Sequence, residues 1–238
     1  MINELTWDSD FFKRRIGELK IVSKSPRKIE FALKNAKLNN FKYIICKIPS
    51  QHTALIKTLE NLGFYLSDIG VTWAIETDKF LYKDKIRSSL IRKSLKIATE
   101  KDISMLKKMI KSLFLESRFY SDPFFSKDEA DRLYQVWIEN SVKGKIADVV
   151  FCIPEKGFIT CKKSSPTMGE IPLIGIRKDF RGKGLGTIFI DEAIKWFKTQ
   201  DIHFVSIRTQ LKNITAMNFY VKLGFYIKGY DTVFAKAL

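Results

Sequence analysis

The stretch that decides the fold covers residues 174–187 and reads IGIRKDFRGKGLGT. Its apolar start is typical of a strand, and the residues after it have the spacing of an amphipathic helix that ends near Gln200. Three glycines in five positions let backbone amides approach and surround a phosphate. They are Gly182, Gly184 and Gly186. Amides at a helix N-terminus attract anions, and Arg181 and Lys183 add formal charge, so the stretch predicts a pyrophosphate cradle.

The spacing of these glycines does not match two common phosphate-binding motifs. A P-loop needs Ser or Thr directly after Gly-Lys, whereas Gly184 follows Lys183. A dinucleotide-binding fingerprint needs a third glycine at an offset where this sequence has none. The spacing that remains is Arg-x-x-Gly-x-Gly, which resembles the acetyl-coenzyme A loop of the GCN5-related N-acetyltransferases (GNAT). The flanking order over 94–238 is similar as well: two helices, three antiparallel strands, the loop, a helix, a strand, a helix and a hairpin.

This resemblance implies an α/β (α+β) GNAT fold, in which helices flank a mixed, mostly antiparallel central sheet. It also implies acetyl-CoA as co-substrate and no metal. The residues that it places on acetyl-CoA are Ile174, Gly175, Ile176, Arg181, Gly182, Lys183, Gly184, Leu185, Gly186, Thr187, Asn213 and Tyr220.

A second segment, 213–225, is similar to the family pattern Asn-x-x-Ala-x-x-x-Tyr-x-x-x-Gly-Phe. Asn213 is predicted to cap a helix, and the resemblance implies that its side chain also meets the pantetheine arm. Tyr220 lies two turns further on, on the face that the family turns towards the thioester sulfur. A phenol with a pKa of about 10 can protonate a leaving thiolate. The alternative is that Tyr220 is an ordinary core aromatic residue.

The strand before the glycine loop is expected to stabilise the developing oxyanion through the backbone amides of Ile174–Ile176. Family members open this strand from its neighbour, and Pro172, which lacks an N–H, would help to break the ladder or would mark an irregular edge. No residue is identified as the general base. Glu170 is a weak candidate, and water in a channel is an equal alternative.

The remaining pattern predicts the elements around the loop. Thr99 begins a helix that runs to about Phe114, a loop covers 117–125, and Ser126 caps a second helix. Strands are expected at 147–153, 157–162 and 170–176. The last segment, 225–237, is expected to form a hairpin.

An internal repeat appears when the sequence is shifted by 161 residues. Leu-Gly-Phe-Tyr at 62–65 then lies over the same four residues at 223–226, a strand at 41–47 over 202–208, and Thr53–Asn61 over Ile214–Lys222. His52 stands in place of Asn213 and Leu59 in place of Tyr220, and the positions over the glycine loop, 21–25, have no glycine. Residues 1–90 are therefore predicted to be a degenerate GNAT-like half that packs against, and shapes the acceptor site of, a catalytic domain at 91–238. A basic segment at 78–96 separates the two, and chance similarity of a common helix-stop motif is the alternative.

The N-terminal stretch at 5–12, with the segments 117–123 and 137–141, is similar to the dTDP-fucosamine acetyltransferase family. That resemblance implies acetylation of the amino group of a nucleotide-linked amino-deoxy sugar, and a place in cell-surface polysaccharide biosynthesis. The residues proposed to contact this acceptor are Trp7, Phe11, Arg118 and Phe119. Core packing of the aromatic residues and an internal salt bridge of Arg118 are the alternatives.

Charge and composition restrict the class of partner. The 238 residues carry 42 basic and 26 acidic groups, a net charge of +16 that is spread evenly along the chain. This favours either a Lys-rich surface or a basic funnel for polyanionic small molecules. Nucleic-acid binding is not expected, because arginine, the preferred residue for phosphate and guanine contacts, supplies only ten of the basic groups.

The number and spacing of the cysteines and histidines do not favour disulfide bonds or a zinc site. Three scattered cysteines and two distant histidines make neither a disulfide framework nor a usual zinc site. No apolar run reaches the roughly 20 residues that span a bilayer, and the acidic N-terminus does not look like a signal peptide. We therefore expect a cytoplasmic protein without membrane insertion, and leave a homodimer open.

The leading hypothesis is an acetyl-CoA-dependent N-acetyltransferase whose small-molecule amine substrate is a nucleotide sugar. Acetylation of a protein N-terminus, a peptide or a small amine is the alternative within the same class. A CoA-binding module without turnover is the alternative from another class.

Overall fold

The computed structural model describes residues 1–21, 25–49, 52–81, 92–111 and 113–238. The predicted boundary near residue 90 and part of the basic segment lie outside these ranges, so the division into two domains stays a prediction. The same holds for part of 21–25, the positions over the glycine loop.

The N-terminal half, residues 1–81, contributes four strands and three helices within its described ranges. They are β1 (Ile2–Glu4), α1 (Thr6–Phe12), β2 (Arg15–Leu19), α2 (Pro26–Leu38), β3 (Phe41–Ile48), α3 (Thr53–Asn61) and β4 (Tyr65–Glu76).

The C-terminal half, residues 92–238, follows the order expected from the sequence except for an additional short helix, a strand that is divided in two and the closing hairpin. Its elements are β5 (Lys96–Ile97), α4 (Ile103–Ile110), α5 (Arg118–Ser121), α6 (Lys127–Val142), β6 (Val149–Ile153), β7 (Gly157–Lys163), β8 (Met168–Ile171), β9 (Ile174–Ile176), α7 (Leu185–Thr199), β10 (Phe204–Gln210), α8 (Ile214–Lys222) and β11 (Tyr226–Ala237).

A local sequence signal sets the start of α6. Ser126 and Glu129 form a capping box at the start of α6: the Glu129 amide donates to the Ser126 hydroxyl at 3.2 Å, and the Ser126 amide donates to the Glu129 carboxylate at 2.9 Å. The helix expected to reach Phe114 ends earlier, at Ile110. The segment 117–125, predicted as a loop, holds the short helix α5.

Within the part of the chain that the structure describes, one mixed sheet of eleven strands joins both halves. Its order is β1-β2-β3-β11-β4-β10-β8-β7-β6-β5, and β9 pairs with β7 off this path. The pairs β2–β3 and β8–β10 are parallel, and the other pairs are antiparallel. The predicted fold class, a mostly antiparallel mixed sheet flanked by helices, is confirmed.

The centre of the sheet is built by an exchange of strands between the halves. β4 from the N-terminal half pairs with β10, and β11 from the C-terminal half pairs with β3. β4 and β11 then pair with each other in the middle. Each strand–helix–strand unit therefore gives its last strand to the other unit.

This exchange corrects the expected closing hairpin over 225–237. β11 is a single strand of 12 residues, and its ladder with β4 is irregular between Ile227 and Gly229. A β-bulge keeps such a strand continuous while changing its twist, so the glycine marks a bulge where the sequence suggested a turn.

The repeat predicted from the 161-residue shift reappears in the element bounds. The shift carries Thr53–Asn61 onto Ile214–Lys222 and Tyr65–Glu76 onto Tyr226–Ala237, with no change in length. Gly63 and Gly224, the equivalent helix-stop glycines, have φ angles of 80° and 86°. Gly70 pairs with its own equivalent, Asp231, so a local twofold axis passes through that pair.

The hydrophobic core, like the sheet, combines residues from both halves. The cluster beneath α7 and α8 includes Val71, Trp73 and Ile75 of β4, each at most 4% exposed. The N-terminal half thus supplies part of the core that supports the glycine loop and Tyr220.

Candidate active site

A wedge opens in the sheet next to the glycine loop. β8 and β10 lie side by side as far as the pair Ile171 and Ile207, where their pairing ends. Pro172 follows, and Leu173 turns to β7 instead: its amide donates to the Thr160 hydroxyl at 2.9 Å, and its carbonyl accepts from the Thr160 amide at 2.9 Å. The strand expected over 170–176 is thus broken at Pro172. The wedge is the gap between β9 and residues 208–210 of β10.

The alternation of backbone groups decides which amides face the wedge. The Leu173 carbonyl and the Arg177 amide both bond on the β7 side of the chain. Because every second residue of a strand turns its backbone groups to the same neighbour, Gly175 also bonds to β7. The N–H groups of Ile174 and Ile176 therefore point to the wedge. In this orientation they could donate hydrogen bonds to the carbonyl oxygen of a thioester in the wedge.

The N-terminus of α7 presents free amides beside the wedge. Gly184 is the capping residue, and the first bond within the helix runs from the Ile188 amide to the Gly184 carbonyl at 3.1 Å. The amides of residues 185–187 precede that bond and have no partner within the helix. They carry the partial positive charge of the helix end, which fits a diphosphate.

The three loop glycines are required for two different structural reasons. Gly182 and Gly184 have φ angles of 74° and 81°, a region that residues with a side chain rarely adopt. Gly186 is instead a place of close approach, since a Cβ there would lie 2.8 Å from the Phe219 ring of α8.

Basic side chains are held at the loop by its own backbone. Arg181 Nε donates to the Ile176 carbonyl at 3.1 Å, and Lys183 Nζ donates to the Asp179 carbonyl at 2.9 Å. Lys183 Nζ also lies 5.3 Å from the centre of the Phe180 ring. Both charges therefore stay near the free amides, where an anion would gain from them.

Tyr220 is buried between the halves rather than open to solvent. It is 3% exposed, and its ring lies 6.2 Å from that of Trp73 and 5.7 Å from that of Phe225. Burial raises its pKa, so the phenol stays protonated at neutral pH. Its hydroxyl has no hydrogen-bond partner among the described residues. A protonated and unpaired phenol suits a proton donor, and that role stays a prediction.

The two equivalent helix starts differ in the way the sequence suggested. The Asn213 Oδ1 accepts from the Ala216 amide at 3.1 Å and so caps α8. His52, its equivalent at the start of α3, makes no such bond, and Leu59, which replaces Tyr220, is fully buried. The contact of Asn213 with pantetheine stays a prediction.

The aromatic residues proposed for the acceptor lie on and under the N-terminal half. Trp7 is 43% exposed and stacks on Phe11 at 5.2 Å, whereas Phe119 is buried. The Arg118 guanidinium lies 4.5 Å from the centre of the Phe119 ring, and its Nη1 is buried without a hydrogen-bond partner among the described residues. Trp7 and Arg118 thus offer accessible or unpaired groups, and their contact with an acceptor stays a prediction.

A cavity that the sequence did not reveal lies where β10 ends. Its volume is about 290 Å³, and it is lined by Leu66, Ser67, Asp68, Ile69, Leu211 and Lys212. Four of these residues belong to β4 of the N-terminal half. The exchange of strands places them across β10 from the wedge, and no local pattern in the sequence signals such a neighbour.

Asp122 fixes the wall behind this cavity. Its carboxylate accepts from Tyr43 at 2.5 Å, Tyr65 at 2.7 Å and Ser67 at 2.6 Å. These three donors come from the N-terminal half, whereas Asp122 follows α5 of the C-terminal half. Burial and the neighbouring carboxylate raise the pKa of both tyrosines, so both stay protonated as donors.

Comparison with known proteins agrees with this geometry. The Acetyltransferase (GNAT) family matches residues 108–225. A dTDP-fucosamine acetyltransferase of Escherichia coli O6:H1 is 24% identical over 94% of this chain and 92% of its own length. Streptothricin acetyltransferase A of Bacillus subtilis is 33% identical over 50% of this chain and 68% of its own length.

A solved structure shares the fold. A tandem GNAT protein from the clavulanic acid biosynthesis pathway has a TM-score of 0.61 and 10% identity, and the match covers 93% of this chain and 75% of that one. The chain belongs to the GNAT family and is an N-acetyltransferase of that type, a family that uses acetyl-CoA.

Two negative observations apply to the described ranges only. No helix there is both long and apolar enough to cross a bilayer. No group of three or more His, Cys, Asp or Glu side chains there could hold a metal ion.

Proposed function

We propose that this protein acetylates the amino group of a nucleotide-linked amino-deoxy sugar with acetyl-CoA. The observation that carries the proposal is the break in the sheet: β9 leaves β10 directly before the glycine-rich start of α7, and Tyr220 lies on α8, the helix that follows β10. The match to a dTDP-fucosamine acetyltransferase supports the acceptor, because it spans the N-terminal half as well as the GNAT domain.

The chain's own groups would meet three requirements of the transfer. The amides of residues 185–187, with Arg181 and Lys183, would hold the diphosphate. The N–H groups of Ile174 and Ile176 would stabilise the carbonyl oxygen as it gains charge. Tyr220 would give its proton to the departing sulfur.

Charge around the acceptor side also supports a nucleotide sugar. The chain carries a net charge of +16, and its cavity is bordered by Lys212 and lies near Arg118 and Arg208. Such a surface attracts a sugar diphosphate and repels polycationic amines. The cytoplasmic location belongs to the proposal too, and the three cysteines, all buried and unpaired, are consistent with a reducing compartment. A homodimer stays a prediction.

A thiol-release assay with acetyl-CoA tests the acceptor. The panel contains dTDP-linked 4-amino-4,6-dideoxy sugars, streptothricin, a peptide with a free N-terminus and a polyamine. As a matched control, the same nucleotide sugar carries a hydroxyl in place of the amine. We expect thiol release and an acetylated product with the amino sugars alone. Turnover of streptothricin or the peptide in preference to the sugars would contradict the proposal.

A further inference from the structure

The cavity at the end of β10 is lined by an acidic residue to which the proposed acetyl-CoA site assigns no role. Asp68 lies on β4, and its side chain is 4% exposed. Ser67 and Ile69 flank it in the lining, and Leu211 and Lys212 face it from the loop between β10 and α8. A buried carboxylate in a cavity of this size needs a reason, because burying a charge without a partner is costly.

Among the described residues, the ion pair of Asp68 is a long one. The nearest cation is Arg208, whose Nη1 lies 3.9 Å from the Asp68 carboxylate. That guanidinium is already engaged with Asp231, to which it donates at 2.7 and 2.8 Å. Apart from this long pair and a hydrogen bond from the Ile69 backbone, the Asp68 carboxylate is available for a cation that enters the cavity.

The position of the cavity connects it to the wedge. The Leu211 amide donates to the Ile69 carbonyl at 2.8 Å, so the floor of the cavity is joined to the strand that borders the wedge. Residues 208–210 of β10 border the wedge and lead directly to Leu211. At the usual rise of a strand, these three residues span only about 10 Å. Lys212 is followed directly by Asn213, the capping residue of the helix that carries Tyr220.

Positive groups surround the carboxylate at a greater distance. Lys212 Nζ donates to the Ser121 hydroxyl of α5 at 2.8 Å and so closes one side of the cavity. Arg118, Lys212 and Arg208 each act to lower the pKa of Asp68, but burial outweighs them and leaves that pKa raised. The site therefore combines one carboxylate with cations, which suits an acceptor that carries both an ammonium group and an anionic group.

We propose that Asp68 binds the ammonium group of the acceptor in this cavity and removes one proton from it, so that the N-terminal half supplies the base. The inference rests on the proposed function. In the reaction, Asp68 takes a proton from the ammonium group and leaves a neutral amine. The nitrogen lone pair forms the new C–N bond while the C–S bond breaks, and the sulfur takes the proton of Tyr220.

The remaining protons balance through solvent. The nitrogen loses its second proton to water, water returns a proton to Tyr220, and Asp68 releases its proton before the next cycle. The sum is one ammonium and one thioester giving one amide, one thiol and one proton.

The test compares Asp68→Asn with wild type and with Asp78→Asn. Asp78 is a suitable control because its side chain is 83% exposed and meets Lys198 only at the surface, at 3.2 Å. The measurements are kcat and KM for the dTDP-linked amino sugar, the Kd for acetyl-CoA, and Tm. For Asp68→Asn we expect kcat/KM to fall about 100-fold or more, as for loss of a general base. We also expect the Kd to stay within about threefold.

The stability readout separates this role from a structural one. A carboxyl whose pKa is raised on folding contributes stability below its unfolded pKa and loses it as pH rises through the folded value. Asp68→Asn should therefore have an unchanged or higher Tm at pH 7. A Tm lowered by more than about 3 °C would indicate a structural role and contradict the proposal.

A second variant keeps the proposal testable if the asparagine variant unfolds. Asp68→Glu retains a carboxylate and should recover at least tenfold in kcat/KM over Asp68→Asn, or retain turnover if that variant is unfolded. Wild-type kcat/KM in Asp68→Asn would overturn the inference and leave the proposed function intact. If the wild type acetylates another amine of the panel and no amino sugar, the proposed function is wrong, and the same variants assayed with that amine still test Asp68. No turnover of any amine would contradict both.

Discussion

Tyr220 is the residue that we propose as the general acid, and its environment keeps its proton in place. Its phenol is packed against Trp73 of the other half, and burial raises its pKa, so the proton stays on the phenol at neutral pH. A tyrosine at the surface would be solvated and less sensitive to the charge that forms on sulfur.

Replacing Tyr220 by phenylalanine should separate chemistry from binding. The ring packing is kept and only the hydroxyl is lost, so we expect kcat to fall about 100-fold or more while the Kd for acetyl-CoA changes less than threefold. Steady-state kinetics and calorimetric titration of the same preparation measure the two quantities. A loss of equal size in both would remove Tyr220 as the acid.

A side chain at Gly184 should prevent acetyl-CoA binding. Gly184 has a φ angle of 81°, which a β-branched residue adopts only with strain, and it precedes the free amides of α7. We expect Gly184→Val to raise the Kd for acetyl-CoA at least 100-fold in a calorimetric titration. Gly229→Val is the control, since a Cβ there meets nothing within 4 Å. Wild-type affinity in Gly184→Val would mean that another loop holds the diphosphate.

At the scale of elements, α4 and α6 are tied together by charge. Glu139 on α6 accepts from Lys107 of α4 at 2.8 Å and from Lys143 at 2.6 Å. These hydrogen bonds lower the pKa of Glu139 to about 2. A lowered carboxyl pKa adds stability above the unfolded value, and that stability is lost as the pH falls towards the folded value.

Acid should therefore cancel the effect of Glu139→Gln. The pair is partly exposed, so we expect a loss of only about 1 kcal/mol in the free energy of unfolding at pH 7. The difference from wild type should shrink as the pH falls from 4.5 towards 2. Denaturant unfolding across this range measures it, with Glu30→Gln on the exposed face of α2 as the control. A difference that is independent of pH would exclude the ionised pair as its source.

Helix starts that depend on neighbouring residues could be predicted from the sequence. Strand pairing that depends on a distant strand could not. The capping box at Ser126 and the glycines before α7 act within a few residues, so those helix starts were predictable. The pairing partner of β11 depends on a strand some 160 positions earlier, and Gly229 within it reads locally as a turn. The hairpin prediction over 225–237 was wrong for that reason.

At the scale of the whole molecule, the repeat explains why the N-terminal half is present. It has no Tyr220 equivalent, yet its β4 lies between β10 and β11 and lines the cavity. The sequence revealed the repeat through Leu-Gly-Phe-Tyr but did not reveal the exchange of strands. Aligning the two copies of the repeat does not show whether a strand pairs within its own copy or with the other copy. Asp68 was missed as a site residue for the same reason.

The fragment 94–238 should not fold into an active enzyme. Without β4, the edges of β10 and β11 are unpaired, and the core beneath α8 loses Trp73. We expect no cooperative thermal transition by circular dichroism and no binding of acetyl-CoA, in contrast to the full chain. A folded and active fragment would contradict the structural role of the exchange.

The recognition of the thioester carrier through its diphosphate is the claim on which the whole account depends. The most direct measurement is calorimetric titration of the wild-type chain with acetyl-CoA and, in parallel, with S-acetylpantetheine, which lacks the diphosphate and the nucleotide. We predict saturable binding of one acetyl-CoA per chain and at least 100-fold weaker binding of S-acetylpantetheine. Equal affinity for the two, or no binding of acetyl-CoA to folded protein, would contradict the account.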